Sequence, residues 1–540
     1  MMAFFTAAIA ALCVRIGYLQ LYSDDTLAVM ASGQYLSELG EAAERAGICD
    51  RSGVEITGGE KYALYYIDNE ALKEEGDGLL EKYRCEEIGA HGSGGCVWRG
   101  AYNEKQIAAI EESYGAVSVV CRERYSDEQP AAHLIGYVGR TGEGGKQEGQ
   151  CGLEKLFEER LEKGTVRKYL YRDAVGNYLN GSGIFSDSEI SDPFCTTIDL
   201  GLQREAEEIL EENGNPGGIL VSTADTGEIL AYASYPVYNP NDVAASLNSS
   251  GSELTDRLSG ASYPPGSVFK VVVAAAAMEA GIADEDSVFE CRGSVDAGGI
   301  SVRCSTGGES GHGNITLKEA LAKSCNCAFI ELGVRTGGDA ILEMAGAMGF
   351  GRDACGQIWE LTGNLPENAS ECGIANLSIG QGNLLVTPLQ VTAMMRTVAD
   401  GGVYSPLEIL TEQTREDLVT YSLSAAADSD GESSGRMRVM SKSTAASLLS
   451  MLCGTADFGT AKSLSDYTEA SAGGKTGSAQ STMSGRDVVH GWFSGFYPQE
   501  DPEYVITVFM EDGGGGGSCV PAAGTLIDYL SRNDILAGEN

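Results

Sequence analysis

Three short motifs carry residue types that can do covalent chemistry. Ser267-Val268-Phe269-Lys270 comes first, Ser324-Cys325-Asn326 follows, and Lys475-Thr476-Gly477 comes last, before a strand-like run. Each is short enough to arise by accident, and context is what lifts them. Pro264-Pro265-Gly266 cannot extend a helix backwards, and the run VFKVVVAAAAMEA is strongly helical, so Ser267 falls at a helix N-terminus. A capping role would explain a serine there but not Lys270. Three residues on is the same helix face one turn later, so the ammonium can approach the Ser267 hydroxyl. A serine hydroxyl is a poor nucleophile until a base takes its proton, and lysine serves when desolvation or a second cation lowers its pKa. Lys475 would be such a cation, and the N–H groups of the helix start face a developing oxyanion.

These groups must be gathered from distant parts of the chain. Gly217 to Thr223 (GGILVST), a turn at Asp225-Thr226-Gly227 and Glu228 to Ser234 (EILAYAS) read as a β-hairpin. His490 to Tyr497 and Tyr504 to Glu511 read as another. Between them lie helical stretches at Ser267 to Ala280, Leu317 to Gly333, Thr387 to Ala399 and Ser443 to Cys453. Strands at both ends with helices between predict one antiparallel sheet with a helical subdomain, hence an α+β fold. Upstream, Ser23 to Ala46 reads as a helix, Gly47 to Thr57 as a turn between short strands, and residues up to about 190 alternate acidic helical patches with runs such as Val117 to Val120. The Gly-rich loop near Thr141 to Gly152 is no phosphate cradle, because no apolar strand ends in it and Glu143 and Glu148 would repel phosphate. Composition shifts near Ser191.

The chain has 540 residues, enough for two to four domains at about 150 residues each. Its net charge of −41 excludes nucleic-acid binding, which needs clustered Lys and Arg. Disorder is excluded as well, since 43% hydrophobic against 21% charged residues leaves ample apolar material to bury. Met1 to Val14 is almost wholly apolar, Arg15 interrupts, and Ile16 to Tyr22 resumes. About 20 apolar residues make a span, provided that Arg15 snorkels. No small-residue cleavage site of the A-x-A kind follows, so the segment reads as a signal-anchor rather than a cleaved signal, and the bulk of the chain as exported. No Lys or Arg precedes it, so its true first residues are expected to be missing.

The 15 cysteines are an odd number, and Cys13 lies in the apolar segment. Cys291 and Cys304 bracket a Gly-rich stretch that can fold back as a hairpin, which makes them the best disulfide candidates. No C-x-x-C occurs and the four histidines (His91, His133, His312, His490) lie far apart, so no zinc site is expected.

S-x-x-K, S-x-N and K-T-G in this order resemble the signature of penicillin-binding proteins and serine β-lactamases. The flanks YPPGSVFK, GHGNITLKEALAKSCNCAFIELG, SIGQGNLLVTPLQV, GGKTGSAQ and TGEILAYASYPVYNPN are similar to the transpeptidase domain of class B penicillin-binding proteins. RIGYLQ, GICDRSGVEIT, HLIGYVGR and GLEKLFEERLEKG are similar to the anchor and pedestal of that class, so the resemblance covers nearly the whole chain. It implies an anchor at 1–22, an elongated α+β pedestal or dimerisation domain at 23–190, and a transpeptidase domain at 191–540.

The roles implied follow residue by residue. Ser267 is the acylated nucleophile, Lys270 its general base, and Ser324 a relay of the proton to the leaving amine. Asn326 hydrogen-bonds the substrate backbone. Lys475 attracts the terminal carboxylate, with Thr476 and Ser478 as hydrogen-bond donors beside Gly477. The N–H groups of Ser267 and Ser478 form the oxyanion hole. Where the family often has Thr, this chain has Ser478, which keeps the hydroxyl. The activity implied is D,D-transpeptidation of peptidoglycan stem peptides, with β-lactams trapping Ser267, no metal or cofactor, and a membrane glycosyltransferase of the SEDS type and other envelope proteins as partners. The protein would sit in the bacterial cell membrane with a single span and its catalytic domain outside. The alternatives are a D,D-carboxypeptidase, which passes the acyl group to water, and a β-lactam sensor or idle scaffold. A β-lactamase is disfavoured, because Glu360-Leu361-Thr362-Gly363-Asn364 lacks the Leu of the deacylating E-x-x-L-N loop.

Four smaller expectations complete the reading. His312 is taken as a turn residue near the start of the S-x-N helix. Cys325 and Cys327 are taken as buried small hydrophobes. Gly513 to Gly517 reads as a flexible linker, and Trp492 and Tyr497 as core or cleft-wall aromatics.

Overall fold

Apolar runs without alternation need cover on both faces, and two such runs form the centre of the C-terminal half. In the computed structural model, which describes residues 6, 12, 36–39, 42–91, 95–141, 146–163, 165–171, 184–187, 194–249, 251–297, 300–304, 308–368, 371–416, 435–533 and 535–536, they lie side by side in one sheet. The elements of this half, in chain order, are α1 (Leu200–Asn213), β1 (Gly217–Thr223), β2 (Ile229–Tyr235), α2 (Lys270–Glu279, entered through a 3₁₀ turn at Gly266–Phe269), β3 (Val288–Cys291), β4 (Ser294–Ala297), β5 (Ile300–Arg303) and β6 (Gly313–Thr316). Then come α3 (Leu317–Ala322), α4 (Asn326–Thr336), α5 (Pro388–Ala399), α6 (Lys442–Asp457), β7 (Gly473–Met483), β8 (Arg486–Tyr497), β9 (Tyr504–Met510) and α7 (Cys519–Arg532).

The sheet is antiparallel, in the order β2-β1-β9-β8-β7. Both predicted hairpins are in it, joined edge to edge through β1 and β9. Alternate residues of β1 serve different cores. Ile219 and Val221 meet α1 and α7 (Leu202, Ala206, Ala523, Leu526), whereas Leu220 meets α5 (Leu389, Ala393) on the other face. Helix α2 is buried from Lys270 to Ala277, so it has no polar stripe and forms the centre of the helical layer. The K-T-G segment, read only as preceding a strand, lies inside β7, the edge strand.

Three expectations change here. The predicted helix Leu317 to Gly333 is two helices, broken at the S-x-N motif. A capping box between Thr316 and Glu319 starts α3, and the chain then turns through Ser324 at φ 56 before α4 begins at Asn326. Residues 513–517 are not a free linker, because a 3₁₀ turn at Gly516–Ser518 lies against β7 and Gly516 N donates to Ser478 Oγ at 3.0 Å. The hairpin between Cys291 and Cys304 forms as β4 and β5, but no disulfide joins the two cysteines.

Upstream, strands Glu86–His91, Gly95–Ala101, Lys61–Asp68 and Val117–Arg122 form a four-stranded antiparallel sheet in that spatial order, backed by helix Glu104–Tyr114. Leu36–Glu38 pairs with Arg167–Tyr171, so this part of the predicted helix Ser23 to Ala46 is a strand: partners distant in sequence outweigh helix propensity. Glu154 is buried at the junction with the C-terminal half, accepting hydrogen bonds from Arg45 Nε (2.7 Å), Arg124 Nε (2.6 Å) and Tyr125 OH (3.0 Å). The expected anchor lies outside the described residues apart from Thr6 and Leu12, and among the described residues no helix is long and apolar enough to cross a membrane.

Candidate active site

The nucleophile turn is built from backbone contacts that only glycine allows. Gly266 has φ 55, and a Cβ there would meet Ser478 O at 2.5 Å. Gly380 has φ 69, and a Cβ there would meet Gly266 O at 2.0 Å. Gly266 N donates to Gly380 O at 2.9 Å, so the turn carrying Ser267 is held between edge strand β7 and the Ser378–Gln381 segment. Trp492, fully buried on β8, donates its indole N–H to Pro264 O at 3.0 Å and fixes the approach to the turn. Ser267 is half-buried and caps neither the 3₁₀ turn nor α2, and its hydroxyl makes no hydrogen bond among the described residues. That answers the capping alternative.

One turn on, Lys270 is fully buried. Its Nζ donates to Ser324 O (2.8 Å), Ser324 Oγ (3.2 Å) and Asn326 Oδ1 (2.8 Å), and it lies 5.5 Å from the centre of the Phe329 ring. All three partners are neutral, and burial lowers the Lys270 pKa to about 8. Ser324 reaches Lys270 with both its hydroxyl and its carbonyl because the residue adopts the left-handed conformation, a strain of about 1–3 kcal/mol of the kind concentrated at functional sites. Asn326 is held at both ends of its amide. Oδ1 accepts from Lys270, and Nδ2 donates one hydrogen to Arg303 O at 3.0 Å, which leaves its second hydrogen for a ligand.

Lys475 is also fully buried, with Nζ donating to Thr476 O at 2.8 Å. Burial, and then the charge of Lys270, push its pKa well below the ordinary lysine value. Thr476 is buried, with its hydroxyl on that of Thr460, while Ser478 is exposed. Gly477 lies against Pro265 and Val268, where a Cβ would meet Pro265 O at 3.1 Å. The structure thus links Ser324 and Asn326 to Lys270 directly, sets Lys475 near it, and lays the Gly477-Ser478 backbone against the turn of Ser267. Sequence reasoning missed the part played by Gly380 and Gly516, although SIGQG and the glycine run were both visible. It also missed that Cys291, Cys304, His312 and Cys325 cluster behind Ser324, with Cys304 Sγ 3.7 Å from Cys325 Sγ and 3.6 Å from His312 Nδ1.

The sequence matches the penicillin binding protein transpeptidase domain over residues 217–527, more than half of the chain. The chain belongs to the penicillin-binding protein transpeptidase family. Its relatives place it in class B. It is 30% identical to the peptidoglycan D,D-transpeptidase PbpA of Mycolicibacterium smegmatis, with 63% of this chain and 71% of the relative covered. It is 26% identical to the stage V sporulation protein D of Bacillus subtilis over 96% of this chain and 82% of that one. The fold is that of the Helicobacter pylori penicillin-binding protein PBP2 solved in complex with MreC, at a TM-score of 0.72 and 21% identity, covering 92% of this chain and 98% of that chain.

Proposed function

We propose that this penicillin-binding protein is a peptidoglycan D,D-transpeptidase that cross-links stem peptides through an acyl-enzyme on Ser267. The observation that carries this reading is a buried lysine with no carboxylate partner among the described residues, one helical turn from a serine hydroxyl that makes no hydrogen bond among them. As an ammonium, Lys270 fills three neutral acceptors. As a neutral amine it keeps two donors and offers its lone pair to the Ser267 hydroxyl. Ser267 Oγ then attacks the penultimate D-Ala carbonyl, an ester forms, and the D-Ala–D-Ala amide bond breaks. The proton passes from Lys270 through Ser324 Oγ to the departing D-Ala amine. An acceptor amine attacks the ester, an amide forms, and the serine is regenerated. Ser267 and Ser478 N–H groups hold the oxyanion, Asn326 the substrate backbone, and Lys475, Thr476 and Ser478 the terminal carboxylate. β-Lactams acylate the same serine.

Glu360 supports slow rather than rapid deacylation by water. Its carboxylate accepts from Ala354 N (2.8 Å), Cys355 N (3.2 Å) and Thr387 Oγ1 (3.0 Å), so both oxygens are occupied in a structural role. The apolar run Met1 to Tyr22 supports a single-span anchor with the catalytic body outside the bacterial cell membrane, and residues 23–190 a pedestal. A SEDS-type glycosyltransferase and other envelope proteins are the proposed partners; the solved pairing of a relative with MreC supports partners of this kind.

Product analysis with a stem pentapeptide donor and an added acceptor amine tests the reading. Cross-linked dimer with free D-Ala supports it, and trimmed tetrapeptide alone would make the protein a carboxypeptidase.

A further inference from the structure

Cys49 and Cys195 lie where the upstream part of the chain meets the transpeptidase domain. Strands Ile48–Cys49 and Phe194–Cys195 pair in parallel, with Ile48 opposite Phe194 and Cys49 opposite Cys195. Successive side chains of a strand point to opposite faces. Ile48 and Phe194 enter a core with Leu407 and Ile409, which leaves both thiols on the other face of the pair. Paired strands run about 4.7–4.9 Å apart, inside the Cα separation of about 4.4–6.8 Å that a disulfide spans. The thiols already meet, Cys49 donating its S–H to the Cys195 sulfur. A small hydrophobe would account for the buried Cys49, but not for a second, half-buried thiol set in register with it. The junction continues on both sides of the pair: Thr196 N (2.9 Å) and Thr196 Oγ1 (3.0 Å) donate to Cys49 O, and Cys195 N donates to Thr414 Oγ1 at 3.1 Å.

We propose that Cys49 and Cys195 form a disulfide that staples the upstream part of the chain to the transpeptidase domain, with a low-molecular-weight disulfide as oxidant. Cys195 is the entry point, being half-buried where Cys49 is buried. Burial raises both thiols, Cys49 to about 12, and the hydrogen bond between them lowers Cys195 while raising Cys49, so the thiolate forms first at Cys195. That thiolate attacks one sulfur of the oxidant, the oxidant's S–S bond breaks, and one thiolate leaves. Cys49 then gives up its proton and attacks the Cys195 sulfur, the Cys49–Cys195 bond forms, and the second thiolate leaves. Two protein thiols are oxidised, the oxidant is reduced to two thiols, and the two protons released go to those thiols. The bond closes a ring around residues 50–194. It restrains the unfolded chain over that length and fixes a junction that a two-residue ladder and its neighbouring hydrogen bonds hold in the reduced protein. An oxidising setting in the cell rests on the proposed placement of the body outside the membrane, but the chemistry does not depend on acyl transfer.

The test is peptide mapping by mass spectrometry of the full chain, purified in detergent, reduced, and then equilibrated with glutathione disulfide. Peptides linked through Cys49 and Cys195 are expected from most of the wild-type chains, a reading that needs no variant to fold. The melting midpoint of the oxidised protein should lie about 5–10 °C above that of the reduced protein. Cys49→Ser should stop after the first step, with glutathione retained on Cys195, and Cys195→Ser should leave Cys49 unmodified. Neither variant should show the rise in melting midpoint. Wild-type protein that keeps glutathione on Cys195 beside a free Cys49 would overturn the proposal, as would either cysteine joined to a different one, or both remaining free at every ratio of glutathione disulfide to glutathione. A bond that forms without raising the melting midpoint would overturn the stapling role. None of these readings needs penicillin acylation, so an inactive protein that forms the bond would refute the proposed activity and leave this inference standing.

Discussion

Behind the nucleophile turn, Lys270 and Lys475 are buried and, among the described residues, have only neutral oxygens as hydrogen-bond partners, whereas in the N-terminal half Glu154 is buried between Arg45 and Arg124. The second arrangement closes its own balance: two guanidiniums meet Glu154 and Glu158, and every carboxylate oxygen of Glu154 is engaged. Such a cluster holds chain segments in register. The first leaves positive charge uncompensated in a low-dielectric place, which costs stability and pulls lysine toward the neutral form. Burial alone therefore does not distinguish a structural charge from a functional one. The missing counter-ion is what the proposed reading uses, because a substrate carboxylate and a developing oxyanion would supply it.

Breaking each arrangement should give opposite results. Lys270→Met should slow penicillin acylation by about 10³-fold, within the range for loss of a general base, without lowering the melting midpoint. Stopped-flow acylation and calorimetry on the same sample check both halves. Glu154→Leu strands Arg124 and half of Arg45, and should cost about 3–5 kcal/mol in denaturant unfolding. The folded fraction should still be acylated at the wild-type rate. An acylation defect there with unchanged stability would erase the distinction between the two regions.

The pH dependence sharpens it. Lys270 acts as a base only when neutral, and its pKa is lowered to about 8, so the acylation rate should rise with pH through about 8 and level off above. A rate that stays flat across that interval, or falls, would exclude Lys270 as the titrating base. Smaller effects are expected at the rim. Ser478→Ala should slow acylation by about tenfold, the loss of one hydrogen bond, while Ser478→Thr should stay within about threefold. Glu360→Gln should leave the lifetime of the penicilloyl-enzyme unchanged, because Glu360 is committed to Ala354, Cys355 and Thr387.

Much of this was legible in the sequence because it is local. Pro264-Pro265-Gly266 before an apolar helix places Ser267 at a helix start, and the spacing to Lys270 puts both on one face. The two hairpins could be read from unbroken β-rich runs around turn residues. What failed is what depends on distant partners. Nothing local says that Leu36–Glu38 pairs with Arg167–Tyr171, or that the helix from Leu317 must break so that Ser324 can face Lys270. Nor does anything local say what His312 will meet. Its neighbours are cysteines from three other segments, brought to it by the β3–β6 pairing, the folded hairpin β4–β5 and the start of α4.

The central claim is that Ser267 is the residue acylated. Labelling the protein with a fluorescent penicillin, digesting it and sequencing the tagged peptide by mass spectrometry tests this most directly. One tagged peptide is predicted, modified at Ser267, and no label on Ser267→Ala. Covalent label persisting on that variant, or attached to another residue of the wild type, would contradict the account.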